Sequence, residues 1–226
     1  MFAVIFEVQP KQERWDEYLE LAKFLKPELE KIDGFIDNER FASQRTEGRL
    51  LSLSTWRDEK AVIRWRTLAV HHGVQEKGRF EVFEDYHLRV GEIAADTQVP
   101  EGQSLKTQRL DETEIGAAKI VTVSELPATG DGKPATADLA HALGIPPTGR
   151  DGVVDQEVFE SIYNPGKLLL LVSWKDVASA SHWVPETPAG GTPRHRHVRV
   201  IRDYGMADRR EAPQYYPAVE AAGAEK

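Results

Sequence analysis

Two adjacent histidines, His71 and His72, are the residues of this sequence best suited to proton transfer. An imidazole exchanges a proton near neutral pH without large tuning, so either side chain suits the abstraction of a phenolic or enolic proton. Helical spacing places Trp65, Leu68 and His72 on one face of a helix. Trp65 on that face offers a flat wall for a planar ligand, although an aromatic stripe is also typical of an ordinary core. The pattern predicts a small-molecule site with His71 or His72 as its base.

Other side chains are candidates for holding the substrate. Arg79, Tyr86 and Arg89 are able to stabilise negative charge on a substrate or on reduced oxygen through charge-assisted hydrogen bonds. Tyr86 and the aspartate before it recur as the dipeptide at residues 203–204, which favours a structural role on a strand as the alternative. Trp56 ends an apolar strand, so its ring is either a further substrate contact or part of the core.

The sequence gives little support to metal or nucleotide chemistry. In "RHRHVRV", His195 and His197 alternate onto one face of a strand, a spacing that is able to chelate a metal. No cysteine or nearby acidic cluster completes such a set, so we predict no metal site. The sequence also lacks a G-x-G-x-x-G motif, a Walker-type loop, a G-x-S-x-G elbow and an H-E-x-x-H motif.

Composition limits the partners of the protein. The net charge of -8 argues against nucleic acid, because phosphate binding needs a surplus of Lys and Arg on one face. The chain has no cysteine, which fits a reducing compartment, and its start has no basic segment typical of a signal peptide. No apolar run approaches the ~20 residues of a membrane span. We expect a cytoplasmic protein that binds neither nucleic acid nor membranes.

The sequence segments predicted to form the elements that position these residues occur twice in the chain. Residues 2–86 lie over residues 120–204 at a constant offset of 118 without a gap. In this alignment "DGFIDNERFAS" corresponds to "DGVVDQEVFES", and Trp65 corresponds to Trp183. This period is far longer than that of a solenoid repeat, so each copy is predicted to be a domain.

Each copy is predicted to have the order strand, helix, strand, strand, helix, strand. In the first copy "FAVIFEV" has strand composition, and "KQERWDEYLELAKFL" has helical spacing up to a kink or a fresh helical turn at Pro27. A second helix is expected over residues 58–75. This order predicts an α+β fold with a ferredoxin-like unit in each half, whose helices pack on one face of an antiparallel sheet.

The other face of each sheet needs a cover, which the repeat supplies. We predict that the two sheets pack against each other into a pseudo-symmetric barrel inside one chain, and further homodimerisation is compatible with this. The second copy has a shortened first helix, and prolines and glycines interrupt its second helix. The predicted organisation is a first domain at 1–95, a linker at 96–117, a degraded second domain at 118–208 and a tail at 209–226 that is expected to fray.

The first copy resembles the antibiotic biosynthesis monooxygenase (ABM) family. The resemblance rests on a strand that ends in Trp, then Arg-Asp and an Ala-containing helical turn, a second Trp, His, and "GRFEVFEDYHLRV". It covers residues 2–93 well and residues 118–207 more weakly. The resemblance implies a dimeric α+β barrel with a pocket between sheet and helices, and a small-molecule substrate.

This resemblance leaves three functions open. The first is a cofactor-independent monooxygenase that reacts a planar aromatic or polyketide-like anion with O2, with its site in the first half. The second is a haem-binding or haem-degrading protein. Haem degraders of this fold have an Asn on the first strand and a His after the second Trp, where this chain has Phe6 or Glu7, and Gln75. The third is a barrel that binds a ligand without catalysis.

Overall fold

Each half of the chain contributes four strands and its own helices. The computed structural model describes residues 1–130, 134, 136, 138–186, 188 and 191–215. The strands are β1 (Phe2–Pro10), β2 (Phe35–Ser43), β3 (Leu50–Trp56), β4 (Phe83–Asp96), β5 (Ile120–Leu126), β6 (Val153–Ser161), β7 (Leu168–Trp174) and β8 (Arg194–Gly205). The helices are α1 (Trp15–Glu30), α2 (Glu59–Thr67), α3 (Ala69–Lys77), α4 (Leu139–Ala142) and α5 (Val177–His182). A 3₁₀ turn at Gln12–Arg14 precedes α1, and a π-helical turn at Gly78–Val82 precedes β4.

The eight strands close into one antiparallel barrel in the order β1, β3, β2, β6, β7, β5, β8, β4. Two seams join the halves. Along the longer seam β4 pairs with β8 from His87 opposite Gly205 to Asp96 opposite Arg196, and along the shorter one β2 pairs with β6. The closed barrel has no free sheet edge. The predicted α+β barrel within one chain is confirmed, with the sheets joined edge to edge.

Strand alternation divides the apolar residues between the inside and the outside of the barrel. Along β1, Ala3 and Ile5 belong to the interior cluster, whereas Phe2 and Val8 pack under the helices. The interior cluster takes residues from both halves, namely Met1, Ala3, Ile5, Phe41, Leu51, Leu53, Ile93, Val121, Val123, Phe159, Leu169, Leu171, Val198 and Val200. Each half therefore depends on the other for its core.

Arg89 points into this interior and takes no part in a substrate site. Its guanidinium pairs with Glu7 and donates a hydrogen bond to Ser173 Oγ of the other half at 2.7 Å. At the equivalent place in the second half, Arg196 pairs with Glu125. The prediction that Arg89 stabilises a substrate anion is therefore wrong, because strand alternation directs it to the opposite face from the helices.

The repeat keeps its offset of 118 only through the first three strands of each half. Phe2 lies opposite Trp56 on neighbouring strands, as Ile120 lies opposite Trp174. In the last strand the equivalence changes: Ile5 pairs with Arg89, and Val123 pairs with Arg196, which follows Arg89 by 107 residues. The second half has no counterpart of α3 among its described residues, so its last strand begins earlier. The match of Tyr86 with Tyr204 in an ungapped repeat is therefore wrong.

The predicted single helix over residues 58–75 is two helices. Asp58 begins α2, because its side chain accepts a hydrogen bond from Ala61 N at 2.8 Å. The chain turns at Leu68, whose backbone is extended (φ -61°, ψ 124°), and α3 follows. By contrast, α1 runs through Pro27 without a break, so the expected fresh turn is wrong. Pro27 has no N–H to donate to the carbonyl of Lys23, and α1 ends three residues later, at Glu30.

The predicted linker packs along the barrel. After Asp96 it contains no helix or strand, but Thr113 N donates to Val200 O at 2.8 Å, and Leu105 packs against the interior cluster. The strands of both halves form one continuous sheet, so the domain boundaries given above stay a prediction.

Candidate active site

A cavity of about 840 Å³ lies between the outer face of the first-half sheet and the helices α1, α2 and α3. Its sheet side includes Phe6, Leu88 and Val90, and its helix side includes Tyr18 and Leu25. A volume of this size is typical of a site for a small organic ligand. The resemblance implied a pocket between sheet and helices, and this is its position.

Five of the seven predicted site residues line this cavity: Trp65, His71, His72, Arg79 and Tyr86. The short helices α2 and α3 bring the indole and the two imidazoles together. The break at residue 68 turns the chain, so that a ring on α2 meets rings on α3. The structure thus groups the residues that sequence reasoning selected, and their chemical roles stay predictions.

Trp56 and Leu68 do not line the cavity. Leu68 forms the corner between α2 and α3, where it has left the helical face on which it was predicted to lie. Trp56 is fully buried, and its Nε1 donates to Ser54 Oγ at 2.9 Å. The substrate contacts predicted for both residues are therefore wrong, and Trp56 acts in the core.

The Trp56 hydrogen bond has an internal control in the second half. There Trp174 Nε1 donates to Thr122 Oγ1 at 2.9 Å, and Thr122 is the counterpart of Val4. We expect Ser54→Ala to lower the free energy of unfolding by about 1–3 kcal/mol, because it leaves a buried indole N–H without an acceptor. Val4→Thr in that background should restore part of the loss. Urea denaturation of both single variants and the double variant measures the coupling, and strictly additive effects would contradict this account.

His71 is held neutral against the indole of Trp65. The two rings stack with centroids 3.9 Å apart, and His71 Nδ1 lies 2.8 Å from Trp65 O. Because a carbonyl only accepts, Nδ1 carries the proton and Nε2 keeps its lone pair. Burial lowers the pKa of His71 to about 4, more than the bond to Trp65 raises it. His71 therefore offers an uncharged hydrogen-bond acceptor over a wide pH range.

This burial predicts a pH-dependent contribution to stability. The unfolded chain binds the proton of His71 near pH 6.5 and the folded protein only at about 4, so between these values the unfolded state holds more protons. The contribution is fully present above about pH 6.5, and acidification to pH 4 removes as much as about 3 kcal/mol. We expect the stability difference between wild type and His71→Gln to shrink along this range in chemical denaturation. A difference that stays constant from pH 7 to pH 4 would rule out a buried neutral imidazole.

His72 lies nearer the mouth of the cavity. Its Nε2 is 3.7 Å from Glu76 Oε1, one helical turn further along α3. Its ring stacks on Tyr215 with centroids 3.4 Å apart. A carboxylate at this distance is able to pair with the imidazolium that forms when the ring takes a proton. His72 therefore has the partner expected of a base, whereas His71 does not.

The C-terminal segment 206–215 covers the mouth of the cavity. Glu211 anchors this segment, since its carboxylate accepts hydrogen bonds from Thr113 Oγ1 and from Asp203 N, both at 2.7 Å. Arg66 then binds Gln214 O at 2.9 Å. The prediction that the chain frays after about residue 208 is wrong for 209–215, because long-range hydrogen bonds hold it; residues 216–226 lie outside the described part.

The corresponding space in the second half is filled. Trp183 stacks on Trp174 with centroids 5.9 Å apart and donates from Nε1 to Leu143 O at 2.9 Å. Leu139 and Leu143 pack into the same cluster. The counterparts of His71 and His72 by the offset of 118, residues 189 and 190, lie outside the described residues. The open site therefore belongs to the first half.

The cavity wall carries an excess of positive charge in a protein with a net charge of -8. Its charged lining residues are Lys26, Arg40, Arg66, Arg79, Arg209, Arg210 and a single acid, Glu76. Such a concentration of one sign favours a negatively charged ligand. Sequence reasoning missed most of these residues because they come from four separate segments.

Other kinds of site receive no support from the described residues. No group of three His, Asp or Glu side chains among them is placed to hold a metal ion. His195, one of the alternating histidines, lies with Nδ1 2.8 Å from Ser124 Oγ. No helix in this part of the chain is long and apolar enough to cross a membrane.

Fold and cavity together define a protein of the dimeric α+β barrel class with a cavity in its first half. The model of the family "Antibiotic biosynthesis monooxygenase" matches residues 1–77. The jasmonate monooxygenase ABM of Pyricularia oryzae is 45% identical over 222 residues, 96% of this chain and 99% of that protein. The chain therefore belongs to the antibiotic biosynthesis monooxygenase family.

One solved structure with a TM-score above 0.5 supports the fold, and only the fold. An aldoxime dehydratase in complex with butyraldoxime is similar with a TM-score of 0.53 and 11% identity, over 92% of this chain and 80% of that one. An anthrone oxidase-like protein matches 94% of this chain and 96% of its own, with 13% identity and a TM-score of 0.35. At these identities the structures say nothing about the substrate.

Proposed function

We propose that the protein is a monooxygenase that oxidises a small enolisable carbonyl compound or phenol with O2 in the first-half cavity, without a bound cofactor. The observation that carries the proposal is the cavity, which brings His71, His72 and Trp65 together. Family membership and the jasmonate monooxygenase relative support the reaction class. Jasmonate, a cyclic ketone with a carboxylate, is the first candidate substrate, beside the planar phenols expected from the sequence.

In this proposal His72 takes a proton from the carbon next to the carbonyl, or from the phenol. Glu76, 3.7 Å behind Nε2, stabilises the imidazolium that forms. The unprotonated Nε2 of His71 accepts a hydrogen bond from a substrate hydroxyl other than the one that His72 deprotonates, where the substrate has one, and then helps to orient it. Segment 206–215 limits the access of water to the enolate.

The substrate itself then reduces O2. When a methylene group is oxidised, one methylene and one O2 give one ketone and one water. One oxygen atom enters the substrate, the other leaves as water with the two methylene hydrogens, and the substrate gives up all four electrons. This stoichiometry needs no flavin or nicotinamide, in keeping with the absence of their motifs from the sequence.

Haem fits the cavity residues less well. An axial imidazole needs a free nitrogen and open space above it. His72 Nε2 faces Glu76 and its ring is covered by Tyr215. His71 keeps a free Nε2, but the places where haem degraders of this fold carry Asn and His hold Phe6 and Gln75 in this cavity. We therefore derive no step through haem. Titration with haemin should give no Soret shift that depends on His71 or His72.

The reaction is tested with ¹⁸O2. Purified protein, free of added cofactor, is incubated with jasmonate and in parallel with an anthrone, and oxygen uptake and product mass are recorded. One ¹⁸O per product and one O2 consumed per product support the proposal. Absence of uptake with both probes, or turnover only after a reduced flavin, nicotinamide or haem is added, would overturn it.

A further inference from the structure

On β2 and β3, which form one side of the cavity floor, the residues that line the cavity are polar in the first half and largely apolar at the same positions of the second half. The offset of 118 holds for these strands, and the pairing of β2 with β3 repeats as that of β6 with β7. The equivalent residues, first half before second half, are Asn38 and Gln156, Arg40 and Val158, Ser52 and Leu170, Ser54 and Val172. This side of the floor is therefore polar in the open cavity and mainly apolar under the packed helices of the second half, whereas on β1 the order is reversed, with Val4 and Phe6 facing the cavity and Thr122 and Ser124 at the equivalent places.

Arg40 is the unusual member of this floor. Its Nη1 donates to Tyr163 OH at 3.2 Å, but its Nε is buried and has no hydrogen-bond partner. Among the described residues no carboxylate lies within ion-pair distance of its guanidinium. A half-buried guanidinium whose partners are phenolic hydroxyls favours an anion beside it.

Two other arginines show that an unpartnered Nε atom alone does not indicate a ligand site. Arg89 and Arg196 also bury an unpartnered Nε, but Glu7 and Glu125 neutralise them inside the barrel. Arg40 lines the cavity instead, and among the described residues its side-chain hydrogen-bond partners are phenolic hydroxyls. The difference is the missing carboxylate.

Ser52 supplies a second donor beside Arg40. The two residues are directly opposite each other on neighbouring strands. Ser52 Oγ accepts from Asn38 Nδ2 at 3.0 Å, and Asn38 also donates to Leu53 O at 3.0 Å. Because its oxygen already accepts a hydrogen bond from Asn38, the Ser52 hydroxyl keeps its own proton to donate into the cavity.

We propose that Arg40 and Ser52 form a carboxylate-binding subsite, and that the substrate is a small carboxylic acid with an apolar body. The carboxylate lies on the floor, and the body extends along Phe6 and Leu88 toward the histidine wall. The positive lining charge attracts the acid in its ionised form. This subsite deepens the proposed function and rests on the same cavity, but it concerns binding and is testable without turnover.

Matched pairs of acids and methyl esters test the subsite by titration calorimetry. The probes are jasmonate, cinnamate and octanoate, each with its methyl ester. Wild type should bind at least one acid about 10- to 100-fold more tightly than its ester, the range expected for charge-assisted hydrogen bonds. Arg40→Gln should abolish this preference by weakening the acid and leaving the ester within about threefold. Arg64→Gln, which alters a surface arginine paired with Asp33, is the matched control and should change neither.

A substitute variant at Ser52 and a comparison of binding with oxidation distinguish failure of the subsite from failure of the reaction. If Arg40→Gln does not fold, Ser52→Ala replaces it and should lower the acid preference about 3- to 10-fold. Wild type without a preference for any acid over its ester, or a variant that weakens acid and ester equally, would overturn the subsite. Tight, Arg40-dependent binding of an acid that is not oxidised would leave the subsite standing and remove the proposed reaction.

Discussion

We expect His72→Gln to lower kcat for the oxygen-dependent reaction about 100- to 1000-fold, the loss typical of a missing general base. Glutamine keeps the size and a polar end but cannot take a proton at neutral pH. Substrate binding should change little, because the subsite on the floor is on the opposite wall. Oxygen uptake at saturating substrate, together with KM, separates the two effects.

The matched control is His182→Gln. His182 is exposed at the end of α5, in the filled half, and this change should leave kcat unaltered. Glu76→Gln should give an intermediate loss of kcat, because the imidazolium loses a carboxylate 3.7 Å away. Equal kcat in His72→Gln and wild type would show that a group other than His72 is the base.

The sequence was sufficient to predict the barrel and the half that contains the cavity between sheet and helices. Strand alternation and the repeat placed two apolar sheet faces in one chain, and hydrophobic burial leaves few arrangements for them. The position of Trp65 and the histidines on the helical side also followed from helical spacing. These features depend on local periodicity, which one sequence shows directly.

Other features depend on contacts that periodicity does not show. Periodicity left the ring of Trp56 open between a substrate contact and the core, and its hydrogen bond to Ser54 places it in the core. The segment 209–215 was expected to fray, because its anchor, Glu211, finds partners near residue 113 and on β8. Arg40 was missed because a polar residue on a strand is expected to be solvent-exposed until the covering helices are known.

The two halves have diverged in what lies between sheet and helices, while the interior of the barrel kept them together. Arg89 of the first half reaches Ser173 of the second, and Arg196 reaches back to Thr55 at 3.1 Å. These contacts, with the shared apolar core, make the second half necessary for the fold of the first. Among the described residues, the half in which Trp183 and the leucines of α4 pack together thus supports the half that contains the cavity.

Ser52→Leu, which copies the second-half residue Leu170 into the first half, is expected to weaken ligand binding more than about 100-fold while the protein stays folded. Leucine at this position is compatible with the strand, since Leu170 is fully buried at the same place in β7. It removes the donor beside Arg40 and fills cavity space next to it. Calorimetry with the preferred acid measures the first effect, and thermal unfolding measures the second.

Loss of ligand binding without loss of stability in Ser52→Leu is expected only if Ser52 borders a ligand site. In a packed core an extra large side chain costs about 1–3 kcal/mol, whereas here it enters open space, so stability should be unchanged or higher. Ser52→Ala, which keeps the cavity, should bind within about tenfold of wild type. If Ser52→Leu unfolds at a much lower temperature, or still binds the acid as wild type does, then this part of the floor is packed against the protein itself and does not contact a ligand.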